Sequence, residues 1–327
     1  MNPVESISRS GGASAPRNLR AVGQPYFDRL LERCRSLPRL KVAVCHPCSE
    51  ESLAGALASA DAGLIEPILV GPRGQIGALA AAQGRELSGL RLVDAEDEAA
   101  SAAAAVSLCA SGEAAALMKG SLHSDILLHA LVRQGSGLRG ERRVSHVFVM
   151  DVPSCERPLL VTDAAVNIAP TLDDKAVIVQ NAIDFALALG IEQPRVAILS
   201  AVETVQTNIP STLDAAALCK MADRGQIRGG VLDGPLAFDT AVSTHAAAVK
   251  HLVSPVAGKA DILVVPDLEA GNMLVKELEY LGGAHVAGIV LGARVPVILT
   301  SRADGAESRM VSAALAVLLA DYRAQGA

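Results

Sequence analysis

The sequence predicts an α/β protein of two domains with largely parallel sheets, and three observations predict it. From Lys41 onward, short apolar runs alternate with Ala-rich helical segments, the pattern of strands joined by crossover helices. Apolar residues make up 50% of the 327, enough to fill a large core without staples. Polar residues gather where apolar runs end, above all after 262–265 and 295–299, and ligands of open α/β sheets bind outside the carboxyl ends of strands.

Taken in order, KVAVCHP from Lys41 is a strand and Ser49 or Glu50 opens a helix to about residue 62. PILVGP is a second strand, 95–111 a helix, and AAALMKG a third strand ending at Lys119 and Gly120. Ser124 is the expected cap of a helix to about residue 134, with Asp125 in its first turn where the macrodipole favours a carboxylate. Two β-branched runs, VSHVFVMDVP and RPLLVTDAAVNIAP, then follow with almost no spacer, which predicts an antiparallel pair and a domain boundary near residue 144. The next helix starts at Asp173 or Asp174 and stops at Gly190. Beyond it, RVAILSA, GGVLDGP and ADILVVPD are strands separated by helices from about Ser211 and Asp239, and a further helix is expected over 272–281. HVAGIVLG and PVILTSR are the last strands, and 307–322 is the terminal helix.

Composition excludes several classes. With no Trp, three Tyr and four Phe the chain lacks stacking platforms, and its net charge of −6 repels phosphodiesters, so nucleic acid is not an expected partner. Charged residues or Pro interrupt every apolar run before the ~18 residues of a membrane span. Six Cys without a signal-peptide pattern point to reduced thiols in a cytoplasmic protein. Cys45-His-Pro-Cys48 has the spacing of a redox or zinc motif, but no second pair accompanies it, and coincidence is the expectation. Residues 1–22 have the composition of a disordered extension.

Five strings in order carry a family resemblance: LMKGSLHSD at 117–125, VTDAAVNIAP at 161–170, VLDGPLAFDTAVS at 231–243, VVPDLEAGNMLVKEL at 264–278 and GIVLGARVPVILTSRAD at 288–304. From about Phe27 to Ala320 the chain resembles the phosphate acetyl/butyryltransferases in their short catalytic-core form. The resemblance implies an enzyme that interconverts acyl-CoA plus phosphate with acyl phosphate plus CoA, moving acetyl or a short acyl group such as butyryl. It implies an isocitrate/isopropylmalate dehydrogenase-like fold with an active cleft between domains. Residues 23–144 with 286–327 would form a discontinuous first domain, and 145–285 an inserted second. CoA and phosphate enter as substrates, with no permanently bound cofactor and no metal, and the implied assembly is a homodimer or larger.

The implied chemistry needs an anion site, a base for a thiol of pKa ~8.5, and donors where a tetrahedral intermediate gathers charge. The resemblance puts Ser301 and Arg302 at the active site. A guanidinium at Arg302 holds two phosphate oxygens at once and stays charged, while Ser301 donates to the oxyanion or to phosphate. Asp304, with Glu307 three residues on, has the spacing of a helix cap with its capping-box partner. It also stands with Glu307 and Asp239 as a candidate thiol base. Acetyl-specific relatives are implied to carry the base several residues after Ser-Arg, where this chain has Glu307-Ser308.

Asn272 and Lys276 lie four apart on one helix face, and with Gly271 at the predicted helix start they offer an anion cradle that Asp267 would orient. Lys119 and His123 flank Gly120 at a strand end and supply donors for phosphate or the acyl carbonyl, and Asn167 stands near another strand end. Acetyl-specific relatives carry an Arg in the helix that follows; here Leu128 and His129 occupy that region. Two other classes compete. The acidic residues Asp163, Asp233 and Asp239 suit a metal- and NAD(P)-dependent dehydrogenase on the same architecture, and the missing Arg suits an idle CoA-binding relative.

Overall fold

The computed structural model describes residues 25–301 and 304–326, so the extension expected over 1–22 lies outside the described residues. Helix α1 (Pro25–Cys34) leads into β1 (Leu40–Cys45), α2 (Glu50–Asp61), β2 (Ile65–Gly71), α3 (Arg73–Ala82), β3 (Arg91–Asp94), α4 (Glu98–Ala110), β4 (Ala116–Lys119) and α5 (Ser124–Val132). The chain continues through β5 (Ser145–Asp151), β6 (Leu159–Thr162), α6 (Leu172–Ala188), β7 (Arg195–Leu199), α7 (Pro210–Asp223), β8 (Val231–Leu236), α8 (Phe238–Val242) and α9 (Thr244–Val249). It closes with β9 (Ile262–Val264), α10 (Leu268–Tyr280), β10 (His285–Leu291), β11 (Val297–Ile298) and α11 (Ala306–Ala324).

All these strands form one 11-stranded sheet in the order β3-β2-β1-β4-β11-β10-β5-β6-β9-β7-β8. The β-branched runs at 144–153 and 157–170 do pair antiparallel, and β10 pairs antiparallel with both β5 and β11. The remaining neighbours are parallel. The central antiparallel strands therefore reverse the sheet, and the carboxyl ends of β1, β4 and β11 point opposite to those of β6, β7, β8 and β9.

Side chains alternate across the pleat, so each strand feeds both faces. Val42, Val44, Met118, Val147, Ile289 and Ile298 enter one continuous core under α1, α2, α6 and α11. On the other face there are two clusters. One packs α4 and α5 over β1, β4 and β11, and the other packs α8, α9 and α10 over β6, β7 and β9. Between them the alternation of β5 and β10 turns His146, Phe148 and Gly288 to the same side as these two clusters.

Several local expectations are corrected. Ser124 is the first residue of α5 rather than its cap; His123 holds the cap position and makes no side-chain capping bond. Helix α10 starts one turn earlier than expected, because the Asp267 carboxylate accepts from the Ala270 N–H and caps it there. Gly271 looked like a helix boundary, but it is a packing glycine: a Cβ would lie 2.6 Å from Val265 and 2.8 Å from Ala164. Elements α1, α3 and β3 escaped notice. The last is a four-residue edge strand with a burial pattern that does not alternate apolar-in and polar-out.

Where β1 and β4 leave the sheet, their exits touch. The Gly120 N–H donates to the Cys45 carbonyl (2.8 Å), Ser121 N–H donates to the His46 carbonyl (2.9 Å), and a Cβ on residue 120 would fall on that His46 carbonyl. Gly120→Ala is expected to cost about 1–3 kcal/mol by forcing the two exits apart. A urea titration showing wild-type stability would contradict this.

Candidate active site

The carboxyl ends of β4 and β11 lie side by side in the sheet, and a buried cation sits beneath both. Arg309, in the first turns of α11, is 1% exposed, and its guanidinium donates to the Lys119 carbonyl (3.3 Å) and the Ser301 carbonyl (3.0 Å). Glycine on α2 makes the room, since a Cβ at Gly55 would strike the Arg309 side chain. Burial pulls the Arg309 pKa down, opposed by the charges of Asp304 and Glu51. A buried guanidinium of this kind needs counter-charge and hydrogen-bond partners to remain ionised.

Above it Ser301 and Asp304 are tied to each other. The Ser301 N–H donates to Asp304 Oδ2 (2.7 Å) and the Asp304 N–H donates back to the Ser301 carbonyl (3.2 Å). This corrects the capping role expected for Asp304: Gly305 occupies the cap of α11, and none of the described side chains bonds there. Asp304 is 9% exposed, and burial raises its pKa above the usual carboxylate value. Its bond from Ser301 and the field of Lys276 act in the opposite sense. Arg302 lies outside the described residues.

Lys276 reaches this turn from the other cluster. Its ammonium pairs with Glu279 (2.7 Å), lies 5.5 Å from the centre of the Tyr280 ring, and feels the charge of Asp304. Helix α10 starts at the β9 exit and runs back along the sheet, which is why a residue two turns into it meets the opposite exit. Asn272 is exposed on the same face, one turn earlier. The free N–H groups expected beside Asn272 are instead at the first turn of α10, where the Asp267 carboxylate takes that of Ala270. Lys119 ends β4 at 2% exposure, its ammonium 3.4 Å from the Gly120 carbonyl, and shares the face of Leu117. His123 follows on the surface, its N–H donating to Glu98 (3.4 Å).

Other expected residues lie elsewhere. Asn167 is buried at the β6 exit, where its amide donates to Asp163 and the Val144 carbonyl and accepts from Arg143, which itself pairs with Asp174 (2.9 Å). Asp163 also accepts the N–H groups of Ala165 and Val166, both at 3.0 Å. Asp239 leaves β8, the edge strand, and shares Lys250 with Glu203 (3.1 and 2.8 Å). Six strand spacings separate β8 from β11, roughly 29 Å along the sheet. Asp163 and Asp239, which suited a metal site, are thus engaged with separate partners. Among the described residues no group of three His, Cys, Asp or Glu is arranged to hold a metal ion. Cys48 is pushed up to about 11 by burial, and Cys45 further still, so neither thiol is poised as a thiolate.

Sequence inspection missed Arg309, His146 and His46. Each had a faint signal: a cation within the apolar repeat of the last helix, a histidine inside a β-branched run, and a histidine just past a strand. His46 adopts a left-handed backbone (φ 55°). Ser101 gives its hydroxyl proton to the Asp97 carbonyl (2.6 Å), so its oxygen accepts from His46 Nδ1 (3.0 Å).

Residues 97–317 match the family model described as Phosphate acetyl/butaryl transferase. The chain is 56% identical over 297 residues to a phosphate acetyltransferase of Rhizobium meliloti, covering 91% of this chain and 94% of that one. It is 42% identical over 294 residues to a phosphate butyryltransferase of Clostridium beijerinckii, covering 90% and 97%. Among solved structures it resembles a branched-chain phosphotransacylase from Enterococcus faecalis V583, with a TM-score of 0.75 at 33% identity over 86% of this chain and 99% of that one.

A raised carboxyl pKa means the fold binds a proton that the unfolded chain has already lost, so Asp304 costs stability as pH rises through its folded value. Asp304→Asn keeps an acceptor for the Ser301 N–H and removes the buried charge. At pH 7 it is expected to unfold later than wild type, by about 1 kcal/mol or roughly 2 °C. The advantage should vanish as pH falls toward the ordinary carboxylate range; a constant offset at every pH would exclude this account.

Proposed function

This chain belongs to the phosphate acetyl/butyryltransferase family, a family of acyltransferases, and from that premise we propose that it moves a short acyl group directly between the CoA thiol and phosphate in a ternary complex. The observation that carries the site is the joining of the β4 and β11 exits by Arg309, with Lys119, Ser301 and Asp304 gathered there and Lys276 brought in by α10. The cleft lies between the cluster of α4 and α5 and that of α8 to α10. Residues 23–144 with 286–327 form one wall and 145–285 the other.

In the direction of thioester formation, Asp304 takes the thiol proton. Its desolvated carboxylate is more basic than an ordinary one, which narrows the gap to the thiol. The thiolate attacks the acyl-phosphate carbonyl carbon, and the oxyanion of the tetrahedral intermediate is met by the Ser301 hydroxyl and the Arg302 guanidinium. Collapse breaks the bond to the phosphate oxygen, and the leaving phosphate takes the proton back from Asp304. Lys119 and Lys276 supply point charges for phosphate, with Glu279 and Asp304 limiting the net field when the site is empty. Asn272, exposed on the α10 face shared with Lys276, and His123 at the start of α5 suit the extended CoA substrate, as does a homodimeric or larger cytoplasmic enzyme using no resident cofactor.

The test follows thioester absorbance with CoA and acetyl, propionyl or butyryl phosphate. Wild type is expected to turn over at least one of them, and failure with all three overturns the reading. Arg302→Lys is expected to lose about 10²-fold in kcat with a smaller change in KM, because a point charge cannot replace a planar fork in the transition state. Asp304→Asn is expected to lose about 10²–10⁴-fold, the range of a missing general base.

A further inference from the structure

The β10–β11 ladder ends abruptly just before Ser301. Ile289 pairs with Ile298 and Val290 with Val297, but the next facing residues, Gly288 and Leu299, are not joined to each other. The Gly288 N–H donates to the Ser312 hydroxyl on α11 (2.9 Å), and the Leu299 carbonyl lies 3.2 Å from His146 Nε2 on β5. A carbonyl only accepts, so Nε2 carries the ring proton and donates it. The imidazole has to cross over β10 to arrive there, and glycine permits the crossing: a Cβ at residue 288 would lie 2.8 Å from His146 Nε2 and 2.7 Å from the Leu299 oxygen.

The ring itself is held firmly. His146 is fully buried, packs edge-on against Phe148 (4.3 Å between ring centres), and its own carbonyl accepts from the Thr162 hydroxyl (2.9 Å). Among the described residues its Nδ1 has no hydrogen-bond partner. A buried polar ring that leaves one nitrogen unsatisfied costs stability and is retained here around a single directed bond. That bond falls on the carbonyl two residues before Ser301.

We propose that His146 is a positioning residue for acyl transfer: by taking the Leu299 carbonyl out of the β10–β11 ladder, it sets the direction in which the chain leaves β11 toward Ser301. Burial excludes His146 from touching substrate; it acts through the backbone of β11. In its absence the Leu299 carbonyl is free to turn back toward β10, which draws Ser301 with it. Displacement of a reacting group by about 1 Å is enough to cost on the order of 10² in rate. The inference rests on the proposed role of Ser301 at the reacting centre.

Three substitutions decide it, assayed for kcat, for KM of CoA and acyl phosphate, and for thermal midpoint. His146→Leu fills the space without a donor, His146→Asn puts an amide near the Nδ1 position, and His146→Gln puts one near Nε2. Leu and Asn are expected to lose about 10- to 100-fold in kcat with KM changed less than about threefold, while Gln stays within about threefold of wild type. Wild-type kcat in the Leu or Asn variant overturns the inference, as does a Gln variant no faster than the Asn variant. Should the Leu variant fail to fold, the comparison of Asn with Gln still separates the two outcomes. An inactive wild type would instead overturn the acyl-transfer reading, so the two failures are distinct.

Discussion

The hydrogen bonds from the buried Arg309 guanidinium to the Lys119 and Ser301 carbonyls are the constraint on which the site depends. Lys119 ends β4 past the last pair of its ladder with β11, and Ser301 lies beyond β11 itself. Backbone acceptors inside a protein require donors. One planar cation serves both and fixes the distance between the two exits. The fields of Asp304 and Glu51 both oppose the effect of burial on its charge, and Asp304 takes no capping role.

From this follow the surroundings. Gly55 gives α2 room to pack over the Arg309 side chain, and Gly120 lets the β1 exit close against that of β4. Burial in the fold makes Asp304 basic, against the opposing pull of the Ser301 N–H, Lys276 and Arg309. The arrangement carries tension of a useful kind: a carboxylate held above its normal pKa lowers stability in the ionised form, and the same energy makes it a better proton acceptor.

The reversed sheet explains why residues from distant segments meet. If all strands ran one way, the exits of β9 and β11 would lie at one edge, with α10 leading away from it. Because β5 and β10 invert the second half, α10 must return along the sheet to reach β10, and Lys276 is carried to the β11 exit. Both clusters share one continuous core on the far side of the sheet, so the halves are coupled through packing rather than hinged on a linker.

The sequence alone determined most of the strands and helices, the antiparallel pair near residue 144, and the family, because these depend on local periodicity, short spacing and contiguous strings. It located Lys119, Ser301 and Asp304 as neighbours of strand ends, since an apolar run ending in polar residues is visible in one dimension. It misplaced the start of α10 and the cap of α11, because a helix cap is chosen by backbone geometry that Gly271 and Glu307 only hint at. Tertiary structure alone decided the rest. That Asp239 leaves a remote edge strand, that Asn167 ties β6 to β5, and that Lys276 meets Asp304 are consequences of strand order, which no local pattern encodes. Arg309 and His146 are the clearest cases. Each sits in an apolar stretch that favours burial, and each is held by a carbonyl contributed from a strand far away in the chain.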